Sequence, residues 1–379
     1  MTKKAMYAFS GDPITYGHID IIARASSAFD HVVAGIGANP DKKYMFNLEE
    51  RTEMAKRSLT RFKNVEVASF QGLLVDYAYE QGIEVIVKGV RNAADFDYEN
   101  VLHEVGVSQK LGIDTHILFA RPKLAHVSSS AVKSIQKEQG LIHEYVPLYV
   151  KQCLEARMSE QYIVGVTGEI EVGKSYVSQR FAELGKKKGI SVHDIELDHI
   201  GHQILGELKQ PRYEEVRKQI AEAFGQQVRR PDGTIDRKTL GEIVFNDPNA
   251  IDKLNPIMST PLLVRLRREL YGKKGLILFN AALIAESNLA YLCNNNVVLV
   301  YADKQTQESR LSSRGLSFEQ IKRRLSSQFD FQEKKNRLEQ AINKDNQGKI
   351  WVIDNSKSVN SNTNIDRIFE EVVSGLGVK

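Results

Sequence analysis

The sequence predicts an α/β protein made of two doubly wound parallel-sheet domains. Three observations carry this. Short apolar runs alternate with helix-length amphipathic stretches. The pattern closes near Met158 and restarts at Tyr162. Each half places a glycine-bearing turn between its first strand and the helix after it. The 379 residues suffice for two separate cores, and 42% hydrophobic with 26% charged residues is the balance of a water-soluble globular chain.

The elements follow in order. Ala5–Phe9 reads as a strand, a helix starts near His18, and His31–Ala38 is the next strand. Asn47 and Glu50 are spaced as a capping box at the head of NLEERTEMAKRSL. NVEVASF, EVIVKGV and Thr115–Ala120 are three more strands, and Val146–Met158 is a closing helix. Tyr162–Val166 opens a second sheet, which Gly275–Asn280, Val297–Ala302 and Lys349–Asp354 continue. The boundary is expected between Met158 and Gln161, giving domains 1–158 and 161–379.

Composition narrows the function. A net charge of +4 suits anionic small molecules and is too weak and too spread for nucleic acid. Cys153 and Cys293 lie far apart without metal-like spacing, so no disulfide framework or zinc site is expected, and a cytoplasmic location is the natural reading. The N-terminal apolar run is too short for a signal peptide, and none reaches membrane-spanning length, so no membrane partner is expected.

The informative stretch of the first half is SGDPITYGH, Ser10 to His18. It follows a strand and leads into a helix, whose free N–H groups and positive dipole end suit a phosphate. Thr15-x-Gly17-His18 makes a tight turn that sets His18 beside such an anion. Alone, these four residues favour a plain helix start over a phosphate site. DPITYGHIDIIARA, KKYMFNLEER, KGVRNAADFDYE and VSSSAVK follow in one order, and with them Lys4–Met158 resembles the T/H-x-G-H nucleotidyltransferases, among them bacterial phosphopantetheine adenylyltransferase.

That resemblance implies a Rossmann-like domain joining ATP to 4'-phosphopantetheine, giving dephospho-CoA and pyrophosphate. It implies His18 at the α-phosphoryl group, and Lys42 and Ser10 on the acceptor phosphate. Lys88, where the motif has arginine, would bind the acceptor, and Arg91 the triphosphate. Gly11, Gly89, Glu99, Ser128, Ser129 and Ser130 would complete the ATP site, and Leu74 would line the pantetheine channel. Mg²⁺ would neutralise the leaving pyrophosphate. The resemblance also leaves room for a homo-oligomer through this domain. Taken singly, Lys42, Lys88 and Arg91 are ordinary surface cations, the serines an N-cap cluster, Leu74 a core residue and Glu99 a solvated helix charge. One departure stands out. The family reads P-G-[ST]-F-D-P, and this chain reads Ala8-Phe9-Ser10-Gly11-Asp12-Pro13. Residues two apart in a strand share a face, so the exchange conserves volume there while moving it.

In the second half, Gly168–Ser175 (GEIEVGKS) fits G-x-x-x-x-G-K-[ST] between a strand and a helix. Gly173 permits close approach, Lys174 reaches the β- and γ-phosphates, and Ser175 can ligate Mg²⁺. Ile195–Leu205, DGTIDRKTLGEIVFNDP, TQESRLSSR and VIDN make residues 161–378 resemble dephospho-CoA kinase, with an apparent insertion between Gln328 and Lys349. The resemblance implies a P-loop kinase with a helical lid that phosphorylates the ribose 3'-hydroxyl of dephospho-CoA. Asp198 would accept the hydroxyl proton, Arg237 would bind substrate, and Arg310 and Arg314 would be lid arginines. Gly168, Glu171, Val172, Gly173, Lys174, Ser175 and Tyr176 would bind ATP. The bland readings are an N-cap for Asp198, a solvated helix face for Arg310 and Arg314, and a surface ion pair for Arg237.

Here too the chain departs from its pattern. Glu169 and Glu171 replace glycines, and Ala282-Leu283-Ile284 stands where the family has P-L-L. A glutamate charge about 5 Å from a phosphate repels it by roughly 3 kcal/mol at an effective dielectric near 20. Two expectations follow. In the first, the product of one half is the substrate of the other, and the chain performs the last two steps of CoA biosynthesis. In the second, the kinase half is a degenerate regulatory domain on an active adenylyltransferase. An adenylyltransferase for another acceptor is disfavoured by Lys42, Lys88 and the three serines.

Overall fold

The computed structural model describes residues 3–39, 42–247, 250–313, 328–356 and 361–378. Its contacts cluster into two units, Met1–Leu154 and Glu155–Lys379.

The first unit runs β1 (Lys4–Phe9), α1 (Tyr16–Ala28), β2 (His31–Gly37), α2 (Leu48–Leu59), β3 (Val65–Phe70), α3 (Leu74–Glu80), β4 (Val85–Val90), α4 (Ala93–Ser108), β5 (Asp114–Phe119), α5 (Ser129–Lys137) and α6 (Leu148–Leu154). The strands are parallel in the order β3-β2-β1-β4-β5. The chain winds outward from β1 to β3, then returns to β4 on the other side of β1. That reversal leaves a crevice at the carboxyl ends of β1 and β4, where ligands of such sheets bind. Ala5, Met6, Val32, Ala34 and Val87 are buried in the core. The capping box forms as expected: Asn47 Oδ1 accepts from the Glu50 N–H at 2.9 Å, and Glu50 Oε2 from the Asn47 N–H at 2.8 Å.

The second unit runs β6 (Gln161–Thr167), α7 (Lys174–Lys188), β7 (Val192–Glu196), α8 (Leu197–His202), α9 (Pro211–Phe224), α10 (Arg237–Asn246), α11 (Ala250–Leu270), β8 (Gly275–Asn280), β9 (Asn296–Tyr301), α12 (Lys304–Ser313), α13 (Phe331–Asp345), β10 (Lys349–Asp354) and α14 (Ser361–Leu376). Its parallel order is β10-β9-β6-β8-β7. The sequence reading did not anticipate β7. Its run VHDIE is polar at His193, Asp194 and Glu196, and it lies at the sheet edge with Ile195 its buried residue. The central strands are apolar on both faces, as helix-covered parallel strands must be. Val297, Val298, Leu299 and Val300 are all buried. Phe181 and Phe369 meet edge to face at 5.2 Å beneath β6, beside buried Trp351. The apparent insertion folds as α13, which buries Lys334 and Leu338.

Candidate functional site

In the first unit a cleft of about 760 Å³ opens at the carboxyl ends of β1 and β4. It is lined by Ser10, Gly11, His18, Lys42, Lys88, Gly89, Arg91, Glu99, Ser128, Ser129 and Ser130 together. A second, mostly apolar cavity of about 440 Å³ contains Leu74 and shares Ser10, Lys42, Lys88 and Glu99 with the first. Two helices, α1 and α5, point their N-termini into the cleft, so positive dipole ends join the cations there.

His18 is the third residue of α1, and its ring is held on two sides. Its Nδ1 accepts the Thr15 backbone N–H at 3.0 Å. A backbone N–H can only donate, so Nδ1 carries no proton and Nε2–H is left to face the cleft. Phe9 stacks on the imidazole with ring centroids 4.8 Å apart. Burial, with the Arg91 cation adding to it, pushes the imidazole pKa down from 6.5 to about 4. The ring therefore stays a neutral donor at physiological pH.

The exchange of Phe9 and Gly11 has a direct structural meaning. A Cβ on Gly11 would sit 3.1 Å from the Phe9 ring. The Phe9 side chain fills the space that a side chain at 11 would take, and Gly11 adopts φ +60°.

The cations are steered by partners. Lys42 Nζ donates to Ser10 Oγ at 3.4 Å. Lys88 pairs with Glu99 at 2.7 Å. Arg91 forms a two-pronged bond to Asp95 at 2.7 and 3.0 Å. Ser128 caps α5 by accepting the Ala131 N–H, and the Ser129 hydroxyl donates to Pro13 O. Sequence reasoning missed two supports. Buried Arg51 donates to the carbonyls of Ser10 and Gly37 and stacks on Tyr44, which fixes the Ser10 turn. Lys133 pairs with Asp12 at 2.8 Å. Burial raises the Asp12 pKa, but Lys133 and the N–H groups of Phe46 and Met45 outweigh it and hold the carboxyl below its usual range.

In the second unit, residues 168–173 curl between β6 and α7. Lys174 Nζ turns back onto the carbonyls of Gly168 and Glu169 at 3.2 and 3.0 Å. Burial pushes its pKa down to about 8; Asp198, Glu171 and Glu286 oppose this, and Lys334 adds to it. Gly173, at φ +94°, is obligatory: a Cβ there would lie 2.1 Å from Asn355 Nδ2, which donates to Val172 O at 2.8 Å. Arg310 donates to the carbonyls of Glu171 and Asn355 at 2.8 and 3.0 Å. The Glu169 carboxylate turns aside to Gln307 Nε2 at 2.8 Å, and the Ile170 N–H is held by Gln328 at 3.0 Å. Side chains from α12, the segment before α13 and the end of β10 thus clamp the loop.

Asp198 lies on α8 and acts electrostatically on Lys174. Arg237 opens α10 and acts on His202 of α8. The Tyr176 hydroxyl donates to Asn362 on α14 at 2.6 Å. Ser175 is exposed on the first turn of α7. Arg314, and the lid expected around it, lie outside the described residues.

Sequence models of known families divide along the same line. Residues 162–350 match the dephospho-CoA kinase family, and residues 10–135 match the cytidylyltransferase-like family. The chain thus carries, in order, a match to the cytidylyltransferase-like family and a match to the dephospho-CoA kinase family. Both families are transferases, and their kinases and nucleotidyltransferases use ATP as a substrate. Among solved structures, TT1252 from Thermus thermophilus is 26% identical over 57% of this chain and 98% of its own, with TM-score 0.43. Dephospho-CoA kinase from Campylobacter jejuni is 24% identical over 57% and 98%, with TM-score 0.35. NadR protein in complex with NR is 12% identical over 100% and 97%, with TM-score 0.33.

In the second unit the donor set bears on Mg²⁺. Ser175 offers a hard hydroxyl oxygen, and among the described residues no three His, Cys, Asp or Glu side chains group as a metal cage. A hydroxyl oxygen is the donor type that Mg²⁺ takes beside phosphate oxygens. Among the described residues no helix is long and apolar enough to cross a membrane.

Proposed function

We propose that the chain converts 4'-phosphopantetheine to CoA in two ATP-dependent steps, with residues 1–158 making dephospho-CoA and residues 161–379 phosphorylating it. The observation that supports this most is the pairing of the domains: the kinase family acts on dephospho-CoA, the product expected of the first cleft.

In the first step an oxygen of the pantetheine phosphate attacks the α-phosphorus of ATP. The new P–O bond forms as the α–β bridging bond breaks, and pyrophosphate leaves. Lys42, Ser10 and Lys88 hold the acceptor phosphate, while Arg91, Gly89, Glu99 and the N-terminus of α5 at Ser128–Ser130 hold ATP. His18 donates Nε2–H to the α-phosphoryl oxygens, where charge builds in the transition state. Leu74 and its apolar cavity take the pantetheine arm.

In the second step the ribose 3'-oxygen attacks the γ-phosphorus, and ADP leaves. Asp198 orients the hydroxyl and takes its proton. Lys174 and the loop N–H groups hold the phosphates, Arg310 and Arg314 offset transferred charge, and Arg237 binds dephospho-CoA. Ser175 would hold Mg²⁺, which supplies charge neutralisation on the phosphates when bound. Arg310 also donates to the Glu171 backbone carbonyl and so ties down the loop, which supports an active kinase rather than a degenerate one.

Paired variants test the assignment. His18→Ala should cut dephospho-CoA formation by about 10²- to 10³-fold while CoA is still made from supplied dephospho-CoA, and Lys174→Ala should do the reverse. If each variant loses both activities or neither, the division of labour is wrong. We also propose self-association through α4. No residue of α4 is buried, and Phe96, Tyr98, Val101, Leu102, Val105 and Val107 are exposed on it. A monomeric mass by light scattering would refute that.

A further inference from the structure

Lys334 comes from α13, the helix that the sequence reading treated as an insertion, and its side chain is 0% exposed. Burying an ammonium is strongly unfavourable unless it is paired and hydrogen-bonded. A methionine would fill the same space without that cost, so the charge calls for a reason. Its contacts supply one. The ammonium donates to Ala282 O at 2.8 Å and to the Glu286 carboxylate. Ala282 O also receives the Thr167 hydroxyl at 3.2 Å. Thr167 is the last residue of β6, immediately before the phosphate loop. Glu286 Oε1 takes the Phe329 N–H as well, at 3.3 Å. Its other oxygen, Oε2, is buried without a hydrogen-bond partner among the described residues.

These groups surround the loop lysine. The ionised side chains acting on Lys174 are Asp198 from α8, Lys334 from α13, Glu171 from the loop and Glu286 from the segment after β8. Lys334 in turn feels Glu286 and Glu169. If Lys334 were neutral, Glu286 would be a buried anion lacking its cation. Lys174 is the neighbouring ammonium able to answer it, and doing so would draw Lys174 from the nucleotide.

We propose that Lys334 is a positioning residue for phosphoryl transfer: it neutralises Glu286 and ties the Ala282–Glu286 segment to the root of the phosphate loop, which keeps Lys174 on the ATP phosphates. This rests on the reading of residues 168–175 as an ATP loop.

The test uses the intact chain with dephospho-CoA and ATP, following CoA formation. Trp351, the single tryptophan and buried in this domain, reports folding by its emission. Lys334→Met should raise the KM for ATP at least about tenfold, as an uncompensated charge near the phosphates implies. The KM for dephospho-CoA and the Trp351 emission should not change. A purely structural role would instead lower kcat at constant KM. Lys334→Met/Glu286→Gln removes the anion together with its cation and should return the KM for ATP to near the wild-type value. An unchanged KM for ATP in Lys334→Met overturns the proposal. So does a folded double variant whose KM stays raised. If Lys334→Met does not fold, the double variant decides alone: folded with near-normal KM upholds the proposal, and unfolded or raised overturns it. Wild-type protein that makes no CoA would overturn the kinase reading itself, separately from any variant.

Discussion

The sharpest consequence of the first cleft concerns the proton on His18. The fall from 6.5 to about 4 corresponds to about 3 kcal/mol against the imidazolium. At pH 5 a ring with that pKa is roughly 90% neutral, whereas an unperturbed one is roughly 3% neutral. NMR titration of the histidine ring signals, with His18→Ala assigning the resonance, reads this directly. The expected midpoint is near 4, and a midpoint at 6 or above would refute the buried-donor argument. The sign for stability follows. The folded pKa lies below the unfolded one, so this contribution is fully present above about pH 6.5 and is lost as pH falls toward 4. His18→Ala should also cut dephospho-CoA formation by about 10²- to 10³-fold in kcat, the usual loss for one transition-state donor.

Other substitutions probe the same geometry. Gly173→Ala forces a Cβ onto Asn355 at φ +94° and should cost the kinase domain about 2–4 kcal/mol; an unchanged thermal transition by Trp351 fluorescence would contradict this. Glu171→Gly removes a charge and a left-handed non-glycine residue at φ +60°; ATP should bind tighter by up to about two decades, and no gain in the KM for ATP would show that Arg310 and Lys174 already cancel the repulsion. Phe9→Ala removes the ring stacked on His18; kcat for adenylyl transfer should fall by about tenfold, as for a loosened catalytic group, with little change in the KM for ATP, and an unaltered kcat would mean that the stack does not orient the ring.

Much of this was legible in the sequence where local chemistry decides the outcome. The apolar runs of β1, β2, β6, β8 and β9 announced themselves because a strand covered on both faces cannot be polar. Asn47 and Glu50 announced the start of α2. The Gly-Lys-Ser turn and the Thr15-x-Gly17-His18 turn were readable because each needs particular residues within a few positions. Strand β7 was not readable, since an edge strand can afford His193, Asp194 and Glu196. Nor were the supporting roles of residues that act from far along the chain, even where, as with Arg51, Lys133 and Asn355, they end a recognisable motif. Arg51, Lys133, Asn355 and Lys334 support sites built from other segments, and no local pattern marks a lysine that folding will bury. Of the two glutamates in the phosphate loop, Glu169 looked more damaging in sequence than it is in structure, while the Glu171 charge remains for the Glu171→Gly variant to test. Glu169 turns to Gln307, and Arg310 lies against the Glu171 carbonyl.

One measurement bears most directly on the central proposal. Intact protein is given 4'-phosphopantetheine and ATP with Mg²⁺, and dephospho-CoA and CoA are followed together in time. Dephospho-CoA should rise first and then be consumed as CoA accumulates, with pyrophosphate and ADP released in equal amounts by completion. Dephospho-CoA that accumulates without CoA would contradict the two-step account and leave the second domain without its proposed reaction.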